Sequence, residues 1–424
     1  MEYVNNHIHT IYSFSPYTPT EAVRKAKEAG LATCGIMDHD SIAGAPEFIA
    51  AGINAGIKTT VGMETRINLK GSFLEGRLVN NPDQKGVAYV ALHGVPHQNI
   101  ERLNNAFAPY RTIRNERNEA MSRKIAALVR PFGITFDFQT DVLPHTAYDK
   151  GGSVTERTLC WALAVKLIAK FGKGVNGNVN GGGNGKNSNA NGGESKKIGG
   201  ANDKNGGNGN GNGENIISVL EKLGVKPEGK LRGYLEDANN PYYEYDLLGV
   251  LKGGLVAKFY VDADKECMGA ADFIALGKDV GAITAYAYLG DVGDSVTGDK
   301  KKQEFEDSYL GELVAWLKKT GFDAVTYMPS RNTLAQTARI RALCKASGLF
   351  EISGEDINSP RQSFICKNLE LPQFAHLIPA TYALIGHETM ATKDISDGMF
   401  TDETVGNLPN LEERIARFEK IGRA

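Results

Sequence analysis

Short apolar runs alternate with helical patterns through the first hundred residues, and this rhythm limits the folds open to the chain. The runs, in order, are "EYVNNHIHT", "ATCGIMDHD", "IKTTVGMETRI" and "GVAYVALHGV". The first two intervening segments are "PTEAVRKAKEAGL", with Thr20 predicted as N-cap and Gly30 as stop, and "APEFIAAGINAG". Strands that alternate with helices are typical of a parallel sheet or barrel.

The same rhythm returns in the second half of the chain. Predicted strands are "GGLVAKFYVDAD", "GAITAYAYLGD", "FDAVTYMP" and "LFEISGEDIN", with helical "EFEDSYLGELVAWLKKTG" and "TLAQTARIRALCKASG" among them. About seven or eight strands in such units favour a closed or distorted α/β barrel over an open sheet. The carboxyl ends of parallel strands share one rim of a barrel, and active groups are expected there.

The segment 172–213 differs in composition from the rest of the chain. Gly and Asn fill 28 of its 42 positions and none is aromatic, so it cannot bury enough apolar surface to offset its ordering entropy. We therefore predict a disordered loop. The predicted segments are the N-terminal part of the barrel over 1–98, a helical middle insertion over 99–171, the Gly/Asn-rich linker over 172–213, the C-terminal part of the barrel over 214–366 and a helical extension over 367–424.

Bulk composition excludes several classes of protein. A formal net charge of -2 and a pI near 6.5 supply no global field to attract nucleic acid or an anionic membrane. The five cysteines are scattered and form no CxxC, which fits reduced thiols better than disulfides or a zinc ribbon. No signal-peptide pattern precedes the first predicted strand, and no apolar run approaches the ~20 residues of a membrane span. We expect a cytoplasmic protein.

Imidazoles and carboxylates gather where the predicted strands end. In chain order these residues are His7 and His9, then Asp38, His39 and Asp40, then Glu64, then His93, and finally Glu355, Asp356 and Asn358. On a shared rim they would make a nitrogen and oxygen site suited to Zn, Mn or Fe. Bound cations would also relieve the repulsion among buried carboxylates.

Each of these residues also has a structural alternative. Asp40 could cap the helix that follows it, and Glu64 could pair with nearby Arg66. His93, which precedes a glycine, could be a core histidine with a satisfied hydrogen bond. The joint pattern is what favours a metal site.

Five short motifs resemble those of the PHP (polymerase and histidinol phosphatase) superfamily. They are "HIHT" at 7–10, "IMDHDS" at 36–41, "VGMET" at 61–65, "ALHG" at 91–94 and "SGEDIN" at 353–358. The resemblance is strong over 1–95, weaker over about 320–366, and says little about 99–280. It implies a distorted seven-stranded (β/α) barrel of the PHP type and a two- or three-metal site that hydrolyses phosphate esters.

The resemblance also implies roles for individual residues. The first ion would be held by His7, His9, Glu64 and Asp356. Glu64 would bridge to a second ion that His93 also binds, and His39 would hold a third ion or contact the substrate. Metal-activated water would attack phosphorus in line, with Asp38, His39 or a metal-bound water as general acid.

Three departures from the family pattern bear on the number of metal ions. Where many members carry Asp or His shortly after the first motif, this chain has "SFSP", and Phe14 cannot ligate. The last motif usually reads DxH, whereas here Asn358 stands in the third place. A further ligand from the middle of the chain is often present, and His145 is one position that could supply it. We therefore expect two divalent ions, Mn, Zn or Fe, with a third position open.

Substrate contacts are predicted from residues near the late strand ends. Arg331 in "MPSRNT", Arg361 in "NSPRQSF" and the amide of Asn358 could bind a phosphate or carboxylate, and surface salt bridges are the alternative for the two arginines. The predicted function is a metal-dependent phosphoesterase acting on a small phosphorylated metabolite or nucleotide. The alternatives are an amidohydrolase-like enzyme acting on a C–N or C–O bond and a partly degenerate PHP-like binding or regulatory module.

Overall fold

Residues 2–174, 214–291 and 304–424 are described by a computed structural model of the chain. The predicted disorder of 172–213 falls outside the described residues from position 175 onward. The chain divides into two units. The first comprises Met1–Met121, Thr146–Thr158 and Tyr260–Ala424, and the second comprises Ser122–His145 and Leu159–Phe259.

All described strands lie in the first unit and belong to one sheet. They are β1 (Tyr3–Ile8), β2 (Leu31–His39), β3 (Lys58–Asn68), β4 (Val87–His93), β5 (Met268–Gly269), β6 (Ile283–Ala287), β7 (Ala324–Tyr327) and β8 (Phe350–Ser353). The strand order is β1-β2-β3-β4-β6-β7-β8, and β5 pairs with β3. The expectation of an α/β protein is confirmed.

The direction of β4 differs from the prediction. β4 runs antiparallel to both β3 and β6, while β1 with β2, β2 with β3, β6 with β7 and β7 with β8 are parallel. The prediction that every strand ends on one parallel rim is therefore wrong for β4. Moreover, Glu64 does not end β3, which continues to Asn68. His93 still lies level with this region because the antiparallel register places it opposite Gly62.

The first and last strands of the sheet meet just beyond β8. Ile8 and Ile357 form a parallel bridge, in which His9 N donates to Ile357 O at 2.9 Å and Ile357 N donates to His7 O at 3.1 Å. The side chain of Asn6 reinforces this junction with a hydrogen bond from Nδ2 to Ser353 O at 2.8 Å. Residues some 350 positions apart in the chain are thereby fixed beside each other.

Helices follow most of the strands. They are α1 (Pro19–Glu28), α2 (Ala45–Ala55), α3 (Ile100–Val129), α4 (Glu156–Phe171), α5 (Ile216–Lys222), α6 (Gly229–Glu236), α7 (Tyr243–Phe259), α8 (Ala270–Val280), α9 (Leu310–Thr320), α10 (Leu334–Ser347), α11 (Leu377–Lys393), α12 (Asp402–Asn407) and α13 (Leu411–Arg423). The N-cap of α1 is Thr18 rather than the predicted Thr20, because Thr18 and Glu21 form a reciprocal capping box and Pro19 occupies the first helical position. No helix in these ranges is both long and apolar enough to cross a bilayer.

One predicted strand is a helix. The predicted strand "GGLVAKFYVDAD" begins inside α7, which runs to Phe259. Leu247, Leu251, Leu255 and Phe259 recur at every fourth position and are all buried, which is the spacing of one face of a helix. The apolar residues therefore repeat with the period of a helix and not with the two-residue period of a strand, and the helix continues through the two glycines of this run.

Apolar packing in the first unit holds the helices against the sheet. Ile36 of β2, Val61 of β3 and Phe48 of α2 belong to one buried cluster, and each is at most 1% exposed. Burying a side chain of this size stabilises a fold by about 1.5–3 kcal/mol. The polar ends of β1, β2 and β3 are therefore carried on a rigid support.

Candidate metal centre

Two histidines meet at the end of β1. His7 lies within the strand and His9 directly after it, so their side chains fall on the same face. Their Nε2 atoms are 3.2 Å apart, and the rings meet edge to face with centroids 5.0 Å apart. Both residues are buried. Two imidazole nitrogens directed at one point provide a pair of ligand atoms for a cation.

Asp356 completes a first group of possible ligands with these histidines. Its Oδ1 lies 3.1 Å from Nε2 of His9, and the ligand atoms of His7, His9 and Asp356 are all within 4.8 Å of one another. Asn358 donates from Nδ2 to the same Oδ1 at 2.6 Å and so orients the carboxylate. The Asp356 side chain is 33% exposed, whereas that of His9 is 2% exposed. The group is thus accessible from the side of Asp356.

His39 and Glu64 form a second group that shares His9 with the first. Nδ1 of His39 lies 3.2 Å from Oε2 of Glu64, and the same oxygen is 3.7 Å from Nε2 of His7 and 4.0 Å from Nε2 of His9. The imidazoles of His9 and His39 are stacked, with centroids 4.7 Å apart. Glu64 Oε2 is therefore close to all three imidazoles.

His93 approaches this cluster from β4. Its Nε2 is buried and has no hydrogen-bond partner among the described residues. Burial and the neighbouring His7 lower the pKa of His93 to about 3, against the raising effect of Glu64. A buried imidazole nitrogen without a partner costs free energy, and a bound cation would satisfy it.

The electrostatics of the cluster are strongly shifted. Burial raises the pKa of Glu64, but His39, His7 and His9 outweigh it and bring that pKa to about 2. Burial lowers the pKa of His39 to about 3. Burial also opposes ionisation of Asp356, whose pKa is nevertheless held well below its usual range by His9, His7 and Arg157. The carboxylates are thus ionised and His39 is neutral, which are the forms that bind metal ions.

The spacing of these atoms fits divalent metal ions. Nitrogen and oxygen ligands at ~2.1 Å from a metal lie roughly 3.0–3.4 Å from one another. The pairs His7–His9, His9–Asp356 and His39–Glu64 are 3.2, 3.1 and 3.2 Å apart. No cysteine enters either group, so the donor set suits Zn, Mn or Fe but not a thiolate-bound ion. The residues present fit the metals that the sequence predicts.

Asp38 lies behind His9. Its Oδ1 accepts hydrogen bonds from Thr10 N at 2.7 Å and Ser13 Oγ at 2.6 Å, and its Oδ2 accepts from Thr10 Oγ1 at 2.5 Å. Because Ser13 donates its only hydroxyl hydrogen to Asp38, it accepts from Nδ1 of His9, 3.3 Å away. With the proton of His9 on Nδ1, this chain of hydrogen bonds would leave the lone pair of Nε2 directed at His7 and Asp356.

The structural alternative for Asp40 is wrong. The N-cap of α2 is Gly44, and no side chain caps that helix. Asp40 instead adopts a left-handed backbone conformation, φ 50°, and its carboxylate accepts from Thr65 Oγ1 at 2.5 Å and from Arg114. These bonds join the end of β2, which carries His39, to the residue after Glu64.

The alternative pairing of Glu64 with Arg66 is also wrong. Arg66 pairs instead with Glu266 and, at 3.3 Å, with Glu156. These residues belong to a buried network with three arginines and three carboxylates, comprising Arg66, Arg114, Arg117, Asp40, Glu156 and Glu266. Glu64 is consequently left to the imidazoles.

The remaining predicted residues belong to neither of the two groups. Asn358 orients Asp356, while Arg331 is partly exposed with Nη1 3.8 Å from the sulfur of Met328. Arg361 is exposed on the loop after Asn358. His145 belongs to the second unit, where its ring meets that of Trp161 edge to face. Substrate binding by Arg331, Arg361 and Asn358, and ligation by His145, stay predictions.

Sequence reasoning missed three supporting residues. Thr10 is the last residue of the first motif and Ser13 lies three residues after it, and hydroxyl side chains so close to paired histidines were the available signal. Arg157 lies with its guanidinium carbon 5.5 Å from the centre of the Phe14 ring. Nothing in the local pattern of "TERTLCW" links it to position 14.

Comparison with known proteins gives a family match and two similar structures. Residues 5–150 match the family model of the PHP domain. No curated protein matches the chain. A crystal structure from Bifidobacterium adolescentis, named as a candidate metal-dependent phosphoesterase, is similar with a TM-score of 0.50 and 17% identity, covering 89% of this chain and 96% of that one. An amidohydrolase from Chromobacterium violaceum, with bound sulfate and no metal, has a TM-score of 0.49 and 16% identity, covering 86% of this chain and 90% of that one.

Proposed function

We propose that the chain, whose residues 5–150 match the family model of the PHP domain, is a metal-dependent hydrolase that cleaves phosphate esters. The single observation that carries the proposal is the convergence of His7, His9, His39, Glu64 and Asp356. The pairs His7–His9, His9–Asp356, His39–Glu64, His7–Glu64 and His9–Glu64 have ligand atoms 3.1 to 4.0 Å apart. Small phosphorylated metabolites and nucleotides are the proposed substrates.

The proposed mechanism assigns two ions to the two groups. When bound, divalent ions supply Lewis acidity that acidifies a water molecule and stabilises the negative charge that develops on phosphoryl oxygens. His7, His9 and Asp356 would hold one ion, His39 and Glu64 would hold the other, and His93 would complete the set. The partly exposed carboxylate of Asp356 marks the side on which a substrate can enter. Mn, Zn and Fe all suit these ligands.

Asp38 is proposed as a positioning residue rather than as the general acid predicted from the sequence. Its carboxylate accepts hydrogen bonds from Thr10 and Ser13, and the residue is 1% exposed. A carboxylate so engaged orients His9 through Ser13, as carboxylates behind metal-binding histidines commonly do. His39 is proposed as a ligand that also faces the substrate, because its side chain is 20% exposed.

The first test is metal analysis of protein purified without chelators. We expect about two ions per chain, and we expect His9→Ala to lose at least the ion that His7, His9 and Asp356 would hold. His97→Ala is the matched control, since His97 contacts Glu388 of α11 and should keep the metal content of wild type. Protein with no bound metal, even after incubation with Mn, Zn or Fe, would contradict the proposal and support a binding module.

The second test is the reaction. Metal-loaded protein is assayed against phosphomonoesters, phosphodiesters, nucleotides, amides and lactones, with the His9→Ala variant as the blank. Release of phosphate or of an alcohol from a phosphate ester supports the proposal. Hydrolysis of an amide or lactone alone would leave a metal-dependent hydrolase but exclude the phosphoesterase.

A further inference from the structure

The segment that leads into α4 is tied to the strands that carry the candidate ligands. Ser153 donates from its backbone N to Tyr12 O at 2.7 Å and from Oγ to His39 O at 2.5 Å. Two residues earlier, Gly151 O accepts from Ser41 Oγ at 2.8 Å. These bonds fix the start of α4 beside the first two PHP motifs.

Glu156 fixes the first turn of α4 more firmly. Its carboxylate is buried and accepts from Arg117 at 2.5 Å, Arg114 at 3.0 Å and Arg66 at 3.3 Å. Consecutive residues of a helix point in directions about 100° apart, so Arg157 is directed away from this network. The backbone beneath Arg157 is thus held in place by its neighbour.

The Arg157 side chain packs on Phe14, a residue next to the segment that supports the candidate metal centre. Its guanidinium carbon lies over the Phe14 ring, 5.5 Å from the ring centre, a distance at which a cation is attracted to the ring. Phe14 directly follows Ser13, which contacts both Asp38 and His9. The charge of Arg157 acts on Asp356, and Arg157 is itself partly exposed. A guanidinium is therefore held on an aromatic ring whose neighbour in the chain, Ser13, contacts Asp38 and His9.

We propose that Arg157, supported by Phe14, is a substrate-binding residue that contacts the phosphoryl oxygens of the ester. The assignment rests on the proposed phosphoesterase function. A guanidinium matches the geometry of two phosphate oxygens with a pair of parallel N–H donors, which an ammonium group does not. Its positive charge would offset negative charge on the phosphoryl oxygens. Phe14 supports the guanidinium through the face of its ring.

The test is binding of inorganic phosphate to metal-loaded protein by calorimetry, together with metal content. Arg157→Met is expected to weaken phosphate binding about tenfold or more, because charge-assisted hydrogen bonds are lost, while the metal content stays that of wild type. Arg157→Lys keeps the charge and is expected to lose part of the affinity. Phe14→Leu removes the ring and is expected to weaken binding about threefold. In steady-state assays KM for the ester is expected to rise more than kcat falls.

Arg24→Met is the matched control, because Arg24 lies on α1 and pairs only on the surface with Glu28. It should bind phosphate like wild type. If metal-loaded Arg157→Met and Arg157→Lys both bind phosphate as tightly as wild type, the assignment of Arg157 is overturned while the phosphoesterase stands. If metal-loaded wild type neither binds phosphate nor cleaves phosphate esters, the proposed function fails, and the assignment fails with it.

Discussion

Replacing Ser13 by Ala tests how the chain prepares His9 for a metal ion. The hydroxyl of Ser13 is the nearest acceptor for the proton on His9 Nδ1, at 3.3 Å, and the next one, Asp38 Oδ1, is 4.0 Å away. Without Ser13 and without metal, the proton of His9 can move to Nε2, which is 3.1 Å from Asp356 Oδ1. Metal binding must then return it to Nδ1, where it has no acceptor within hydrogen-bond distance.

The cost of this step is that of one buried donor left unsatisfied, about 1–3 kcal/mol. Loss of a group that supports a ligating histidine typically weakens metal affinity about 10- to 100-fold, which agrees with that cost. We therefore expect Ser13→Ala to weaken the affinity for Mn or Zn by that factor while the protein remains folded. The affinity is measured by competition with a chelator, and the tautomer of His9 in metal-free protein is read from its ring nitrogens by NMR.

Ser15→Ala is the matched control for Ser13→Ala. Ser15 is also buried, but its hydroxyl has no hydrogen-bond partner among the described residues. Its removal should leave metal affinity unchanged. Equal metal affinities in Ser13→Ala and wild type, with the His9 proton on Nδ1 in both, would refute the role assigned to Ser13 and Asp38.

Three further predictions concern stability. Burial raises the pKa of Glu306 from 4.5 to about 7, so between these pH values the folded state holds a proton that the unfolded state releases. The free energy of unfolding should therefore fall by about 3 kcal/mol between pH 4.5 and 7. Denaturant titrations of Glu306→Gln should show a smaller dependence on pH. A hydrogen bond to Glu388 raises the pKa of His97. The pair should add roughly 0.5 kcal/mol to the free energy of unfolding below pH ~6.5, and this contribution should be lost at higher pH. In His97→Gln the part of the stability difference between pH 6 and 9 that comes from this pair should disappear. Asp40→Ala leaves the buried Arg114 without this partner and should destabilise the fold by about 3–5 kcal/mol; an unchanged thermal midpoint would contradict that.

The match to the PHP domain and the alternation of strands and helices could be predicted from local sequence. "HIHT" and "IMDHDS" lie within the region that matches the PHP domain, which extends to residue 150. Most predicted elements, including α2 and β8, are present in the structure. Their apolar residues are spaced with the period of either a helix or a strand, and not of both. The prediction of a strand over 253–264 is wrong because a short apolar run is compatible with both a strand and a helix. In the structure, packing along a full helical face stabilises the helix.

The local sequence determined which side chains could ligate a metal, since paired histidines on a strand share a face whatever surrounds them. Tertiary structure alone decided how those side chains are used. The direction of β4 depends on its neighbours β3 and β6, and its register brings His93 to the level of Gly62 although β4 runs antiparallel to both. Asp356 reaches His9 only because Ile357 bridges to Ile8. Asp38 supports His9 through Ser13, and Arg157 packs on Phe14. Both contacts join residues far apart in the chain, and no local periodicity encodes them.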